Sequence, residues 1–100
     1  MESYSEMFEH MLYIMGKLVG YRVIAEDKLT DCEFVIREWL LERPEMKEVI
    51  RADYPDEEEF NEYIEGDFSI EMTYYFAKLD ESVQEQAIEV LRGMMVRTLN

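Results

Sequence analysis

The sequence has few of the residues that cross-link a fold or interrupt it. It contains one cysteine, two prolines and four glycines in 100 residues. The lone Cys32 excludes an intramolecular disulfide, and a small fold without disulfides fits a reducing compartment, so we predict a cytoplasmic protein. The longest apolar run has only five residues, Met11 to Met15, and the N-terminus is acidic. Both features argue against a transmembrane span and a secretory signal.

Basic residues are also scarce. There are 10 lysines and arginines against 24 aspartates and glutamates, which gives a formal net charge of −14. This balance argues against direct binding to nucleic acid and to anionic membranes, because both require lysine and arginine at the contact. The composition is nevertheless 48% hydrophobic and 13% aromatic, enough for a folded chain rather than a disordered acidic tail. We predict one domain over residues 1–100, whose partner is a basic protein surface.

Signatures of catalysis and of metal binding are missing as well. The chain has no glycine-rich phosphate loop, no Gly-x-Ser-x-Gly elbow and no kinase signature. The single histidine, His10, follows Glu6 by four residues, which differs from the Glu-x-x-His spacing of di-iron helix bundles. Asp53 and Asp56 do not have the spacing of a calcium loop. We predict that the protein is not an enzyme and holds neither cofactor nor metal, and that Cys32 is a buried apolar residue.

Apolar residues recur at helical spacing along most of the chain. This pattern predicts helices near residues 4–19, 31–42, 45–52, 56–65, 68–79 and 82–97. We therefore predict an all-α fold, a compact bundle of five to six short helices. An α+β alternative stays open, because residues 21–25 are β-prone and the apolar residues of 68–76 also alternate as they would in a strand.

Local signals predict where several helices begin and end. Three capping boxes mark helix starts: Ser3 with Glu6, Thr30 with Glu33, and Ser82 with Glu85. Pro44 follows the second predicted helix and can open the third. Gly20 is a natural stop for the first helix, and Gly66 is expected to cap the fourth in the left-handed conformation.

Methionine is unusually frequent, with eight residues in the chain. Met7, Met11 and Met15 form a stripe at helical spacing, and Met94 and Met95 lie near the other end of the sequence. One interpretation is adaptable core packing between the first and last helices. The other is an apolar groove or homodimer seam, which would make the protein a helical adaptor or assembly protein.

The negative charge is concentrated in the middle of the chain. Residues 42–71 contain 12 acidic and 3 basic side chains, a net charge of −9. Within them, seven carboxylates fall between Asp56 and Asp67. Twelve helical residues span about 18 Å, so this segment carries one charge per roughly 2.5 Å. Duplex DNA carries one per about 1.7 Å and a single strand one per about 3.4 Å, so the segment has the charge density of a nucleic acid.

Helical geometry divides this segment into two faces. Phe60, Tyr63 and Ile64 are predicted to face inward, and Glu58, Glu62 and Glu65 outward. A solvated helix face is the structural interpretation, and a contact surface for a basic partner is the functional one. The candidate partner-binding residues are Asp53, Tyr54, Asp56, Glu57, Glu58, Glu59, Glu62, Tyr63, Glu65 and Asp67. The carboxylates would supply charge, and the two tyrosines would act as aromatic anchors.

The run Asp56-Glu-Glu-Glu-Phe60, followed by Asn61 and Glu62, is similar to an acidic segment in one type of anti-CRISPR protein. Together with its small size, strong acidity and many tyrosines, the chain resembles the phage-encoded DNA-mimic inhibitors, which include anti-CRISPR and anti-restriction proteins. The resemblance implies an inhibitor that occupies the DNA-reading site of a nuclease in the host cytoplasm.

Overall fold

The protein is described by a computed structural model that covers residues 3–66 and 71–99. Within these ranges the chain forms six helices and no strand: α1 (Tyr4–Gly20), α2 (Glu26–Leu41), α3 (Pro44–Asp53), α4 (Glu57–Glu65), α5 (Met72–Phe76) and α6 (Glu81–Leu99). The predicted all-α bundle of five to six helices is confirmed. The α+β alternative is wrong at residues 21–25, which form a turn, and at residues 72–76, which are helical. Residues 67–70 lie outside the described residues.

The core lies where α1, α2 and α6 pack against one another and where α5 packs against α1 and α3. Phe8 on α1 stacks on Phe76 of α5, with ring centroids 4.2 Å apart. Ile36, Met46 and Leu91 bring α2, α3 and α6 to the same buried cluster. Because each helix contributes apolar residues at a spacing of three to four, the bundle buries one continuous core.

The second helix begins five residues before the predicted start, at Glu26 rather than residue 31. The capping box of Thr30 and Glu33 is wrong: the Thr30 hydroxyl donates to the carbonyl of Glu26, 3.2 Å away, from inside the helix. Threonine can form this bond within a helix as readily as it caps one, so its presence does not mark a start. The cap at Ser3 is confirmed, because its Oγ accepts the Glu6 amide at 3.1 Å.

Two further predicted boundaries differ from the structure. The box of Ser82 and Glu85 is wrong, because α6 begins at Glu81 and the carbonyl of Asp80 accepts its first amide bonds. Gly66 has φ −84° and ψ −160°, so it ends α4 in extended backbone rather than in the left-handed conformation. An arginine side chain satisfies the last carbonyls of α4 instead, as described below.

The end of α1 uses a residue that the sequence did not indicate. Gly20 is the last helical residue, and the left-handed position belongs to Arg22, with φ 62°. The amide of Val23 donates to the Leu18 carbonyl at 2.9 Å, and that of Arg22 to the Val19 carbonyl at 3.0 Å. These two bonds are those of a Schellman motif. The segment 21–25 is therefore a tight connection to α2.

No helix within residues 3–66 and 71–99 is both long and apolar enough to cross a bilayer.

Candidate functional site

The acidic segment begins α4 through its own first carboxylate. Oδ1 of Asp56 accepts the amides of Glu58 at 2.9 Å and Glu59 at 3.2 Å. Three glutamates then occupy the first turn, next to the positive end of the helix dipole. The charge that marks this segment in the sequence therefore also starts the helix that presents it.

Most of the charge on α4 faces solvent without a counter-charge. We call Glu58, Glu62 and Glu65 the acidic face of α4; all three are exposed, and Phe60 on the opposite side is buried, as predicted. Glu57, at the edge of this face, forms an ion pair with Arg51 at 3.6 Å. Among the described residues, the three carboxylates of the acidic face have no lysine or arginine partner. Their charge is available to another molecule.

Two arginines from neighbouring helices hold α4 in place. The guanidinium of Arg51 on α3 lies 4.1 Å from the ring centroid of Phe60. Nη2 of Arg37 on α2 donates to the carbonyls of Ile64 and Gly66, both at 2.7 Å. The positive charge of Arg37 also interacts favourably with the negative, C-terminal end of the helix dipole. The acidic face is therefore presented on a helix that is fixed near both ends.

Four tyrosines gather beside α4, and we call them the tyrosine cluster: Tyr54, Tyr63, Tyr74 and Tyr75. Tyr54 stacks on Tyr63, with centroids 4.6 Å apart. Tyr75 meets Tyr63 edge to face at 5.9 Å and Tyr74 at 5.0 Å. Such pairs each contribute about 0.5–1.5 kcal/mol beyond the area they bury. The cluster joins α4 and the loop before it to α5.

Two carboxylates accept hydrogen bonds from the cluster. The hydroxyl of Tyr75 donates to Oδ2 of Asp53 at 2.8 Å, and that of Tyr63 donates to Oε2 of Glu71 at 3.1 Å. Burial raises the pKa of both phenols well above the usual range, and donation to a carboxylate raises each further. Both groups stay neutral over the physiological range, where a phenol can donate to an anion.

An open depression lies next to this cluster. It has a volume of about 530 Å³ and is lined by Asp53, Tyr54, Glu71, Tyr74 and Tyr75. We call it the tyrosine–carboxylate pocket. Lys78 stands at its edge: Nζ donates to the Tyr74 hydroxyl at 2.8 Å and lies 4.2 Å from the centroid of that ring. The hydrogen bond to Tyr74 raises the pKa of Lys78, so its ammonium stays charged.

The structure brings most of the predicted contact residues together. Asp53, Asp56, Glu57, Glu58, Glu59, Glu62 and Glu65 are exposed, and Tyr54 and Tyr63 are half-buried beside them. Asp67 lies outside the described residues. Sequence reasoning missed Glu71, Tyr74, Tyr75 and Lys78, because they follow the acidic helix in the chain and meet it through ring contacts and a hydrogen bond that no motif predicts. Helical spacing of Tyr75 with Met72 and Phe76 was the available signal.

The two other residues considered for chemistry, Cys32 and His10, lie on different helices. Cys32 is buried, and its Sγ lies 3.5 Å from Oγ1 of Thr98. His10 is exposed near Glu6, Glu9 and Tyr13 on α1. Over the described residues no group of three or more histidine, cysteine, aspartate or glutamate side chains is arranged to hold a metal ion.

The methionine stripe lies largely in the interior. Met15 and Met94 are buried, and Met7, Met11 and Met95 are partly buried and pack against the core. This arrangement agrees with adaptable packing between α1 and α6. The homodimer seam stays a prediction.

No protein-family model, curated protein sequence or solved structure matches this chain. Its own residues are therefore the basis for the function proposed below.

Proposed function

We propose that this protein is a small acidic inhibitor or modulator that binds a basic protein surface. The acidic face of α4 makes the contact, and the basic surface is the nucleic-acid-binding cleft of a nuclease or transcription factor. Binding blocks the cleft by occupying it and by placing carboxylates where phosphates would lie. The observation that carries the proposal is an exposed row of glutamates, on one helix held by contacts near both ends, that the chain's own described cations leave uncompensated.

Charge of this kind carries a cost in the free protein. Fourteen excess negative charges repel one another and destabilise the compact state. A basic partner removes that repulsion on binding, and complementary potentials accelerate the encounter. Solubility alone requires a net charge of only about 2–8 for a domain of this size. The excess, concentrated around α4, supports a role in recognition.

Rigidity supports the same conclusion. Asp56 fixes the first turn of α4, and Arg37 fixes the last. A helix that is already ordered loses little conformational freedom when a partner binds, so more of the contact energy appears as affinity. Tyr74, which is 53% exposed, offers an aromatic anchor next to the charge.

The test is salt-dependent capture from the source cell with two matched variants. The first reverses the acidic face, with Glu58→Lys, Glu62→Lys and Glu65→Lys together. The second makes the same change of charge on α6, with Glu81→Lys, Glu85→Lys and Glu89→Lys, all at exposed positions. We expect the wild type and the α6 variant to retain one basic protein at low salt and to release it as salt rises. The α4 variant should not retain it.

Competition then tests the nature of the partner surface. Duplex DNA added to the purified complex should displace the captured protein, because both ligands need the same cations. Retention by the α4 variant, or a complex indifferent to salt and DNA, would show that charge mimicry is not the mechanism. Circular dichroism of both variants checks that each remains helical.

A further inference from the structure

The tyrosine–carboxylate pocket combines two groups that attract cations. Tyrosine rings present negative π faces, and the carboxylates of Asp53 and Glu71 carry full charges. Each carboxylate accepts its tyrosine hydroxyl through one oxygen, Oδ2 or Oε2, and among the described residues the second oxygen of each accepts no hydrogen bond, which leaves it for a ligand. The volume of about 530 Å³ lies within the range of about 300–1,000 Å³ typical of small-ligand pockets.

Lys78 already shows which chemistry this surface attracts. Its ammonium donates to the Tyr74 hydroxyl and lies 4.2 Å from the centroid of Tyr74 and 5.9 Å from that of Tyr75. Lys78 is exposed in this arrangement. The chain's own cation therefore occupies the rim of the pocket, where it also interacts electrostatically with Asp53. Neither carboxylate that lines the pocket forms an ion pair with a lysine or arginine among the described residues.

We propose that this pocket receives one arginine side chain of the basic partner, in exchange for the rim contact of Lys78. The inference rests on the proposed function for its partner and adds the residue that is recognised. Arginine fits better than lysine because its planar guanidinium stacks on aromatic rings and presents several donors in a fixed fork to two carboxylates. Tyr54 stacks on Tyr63 of α4, so the pocket lies beside the helix that carries the acidic face.

A small probe tests the pocket without the partner. N-acetyl-arginine amide is titrated into the labelled wild-type protein, and backbone amide shifts are followed by NMR. The matched ligand is N-acetyl-citrulline amide, which has nearly the same shape but no charge. We expect saturable shifts at Asp53, Tyr54, Glu71, Tyr74 and Tyr75 with the arginine probe, with a Kd of about millimolar, and none with citrulline.

Three variants give the expected directions. Tyr74→Ala removes an exposed ring and should weaken arginine binding about two- to fivefold. Lys78→Gln removes the competing cation and should tighten binding about threefold. Lys47→Gln is the matched control: it removes the same charge from another exposed position within residues 42–71, outside the pocket. It should tighten binding less.

The outcomes separate the two proposals. Equal shifts with citrulline, shifts spread over the acidic face instead of the pocket, or equal effects of Lys78→Gln and Lys47→Gln would overturn the arginine pocket. Salt-dependent capture through α4 would still stand in each of those cases. Saturable arginine binding in the pocket, together with capture that survives reversal of the acidic face, would support the pocket and overturn the proposed function.

Discussion

Helices α4 and α6 are both acidic and amphipathic, yet the molecule holds them in different ways. On α6 the buried residues are Val83, Ala87, Ile88, Leu91 and Met94. On α4 only Phe60 is buried, and the helix depends on the Asp56 cap, on Arg37 and Arg51, and on the tyrosine cluster. Apolar burial therefore fixes α6, whereas polar and aromatic contacts fix α4.

The two helices also treat their negative charge differently. Glu89 on α6 pairs with Arg92 at 2.7 Å, and Arg97 lies in the last turn of the same helix. Helix α4 has no lysine or arginine of its own. The comparison teaches that a glutamate-rich helix is more informative when it contains no basic residue, as α4 does not, than when arginines lie on the same helix, as on α6.

The largest expected effect is a fall in the free energy of unfolding at alkaline pH, and it arises from the tyrosine cluster beside α4 and not from α6. The pKa of Tyr63 and of Tyr75 is raised in the folded chain, whereas unfolded tyrosine ionises near pH 10. Below that pH both phenols are neutral in both states. As pH rises above 10 the unfolded chain loses these protons first, so the free energy of unfolding falls. Urea denaturation at a series of pH values should show this decline, with helix loss accompanied by new tyrosinate absorbance.

Two phenylalanine variants locate the alkaline effect. Tyr75→Phe keeps the ring and removes the ionisable group, so the decline above pH 10 should become shallower, while loss of the bond to Asp53 costs about 1 kcal/mol at neutral pH. Tyr21→Phe changes a side chain that is 75% exposed and should leave the curve as it was. An equally steep decline in Tyr75→Phe would mean that the cluster does not govern alkaline stability.

The second largest effect comes from removing one polar contact from each helix, which should destabilise the protein more at α4 than at α6. Arg37→Met keeps an apolar stem but loses the two bonds to the end of α4, and we expect a loss of about 2 kcal/mol. Arg92→Met removes an exposed ion pair from α6 and should change stability by less than about 0.5 kcal/mol. Urea midpoints measure both changes. Similar losses in the two variants would contradict the view that α4 depends more on its polar contacts.

The start of α4 gives a smaller effect. Asp56→Ala removes the acceptor of two amides and should cost about 1 kcal/mol. Asp56→Asn keeps the acceptor and removes the charge, so most of the stability should remain. Thermal unfolding distinguishes the two variants. If asparagine is as damaging as alanine, the carboxylate acts through its charge and not through the cap.

Sequence patterns were sufficient for the helices whose apolar faces meet the core. Apolar residues at helical spacing, such as Phe8 with Met15 and Ile36 with Leu40, lie on one side of their helix, and the structure buries that side. The all-α architecture therefore follows from the spacing. Boundaries were less predictable, because serine and threonine form local bonds both at helix ends and inside helices. Thr30 shows the second case, and Ser3 shows the first.

The acidic half of the candidate site was also predictable, since charge density is a local property of the sequence. The pocket was not, because it forms only where Asp53 and Tyr54 meet Glu71, Tyr74 and Tyr75 in three dimensions. Sequence separation hides such a contact when neither partner belongs to a recognisable motif. The acidic run that is similar to an anti-CRISPR segment ends at Glu62 and contains no tyrosine, so it did not indicate the pocket either.

A comparably small effect concerns a helix end that is closed by the backbone rather than by a side chain. Arg22 ends α1 at φ 62°, where a side chain is strained and glycine is not. Arg22→Gly should therefore be about 1 kcal/mol more stable than Arg22→Ala, which loses the same charge but keeps Cβ. The urea midpoints of these two variants measure the difference directly. Equal stability would mean that Arg22 is not left-handed in solution, and that α1, like α4, ends by some contact other than a Schellman turn.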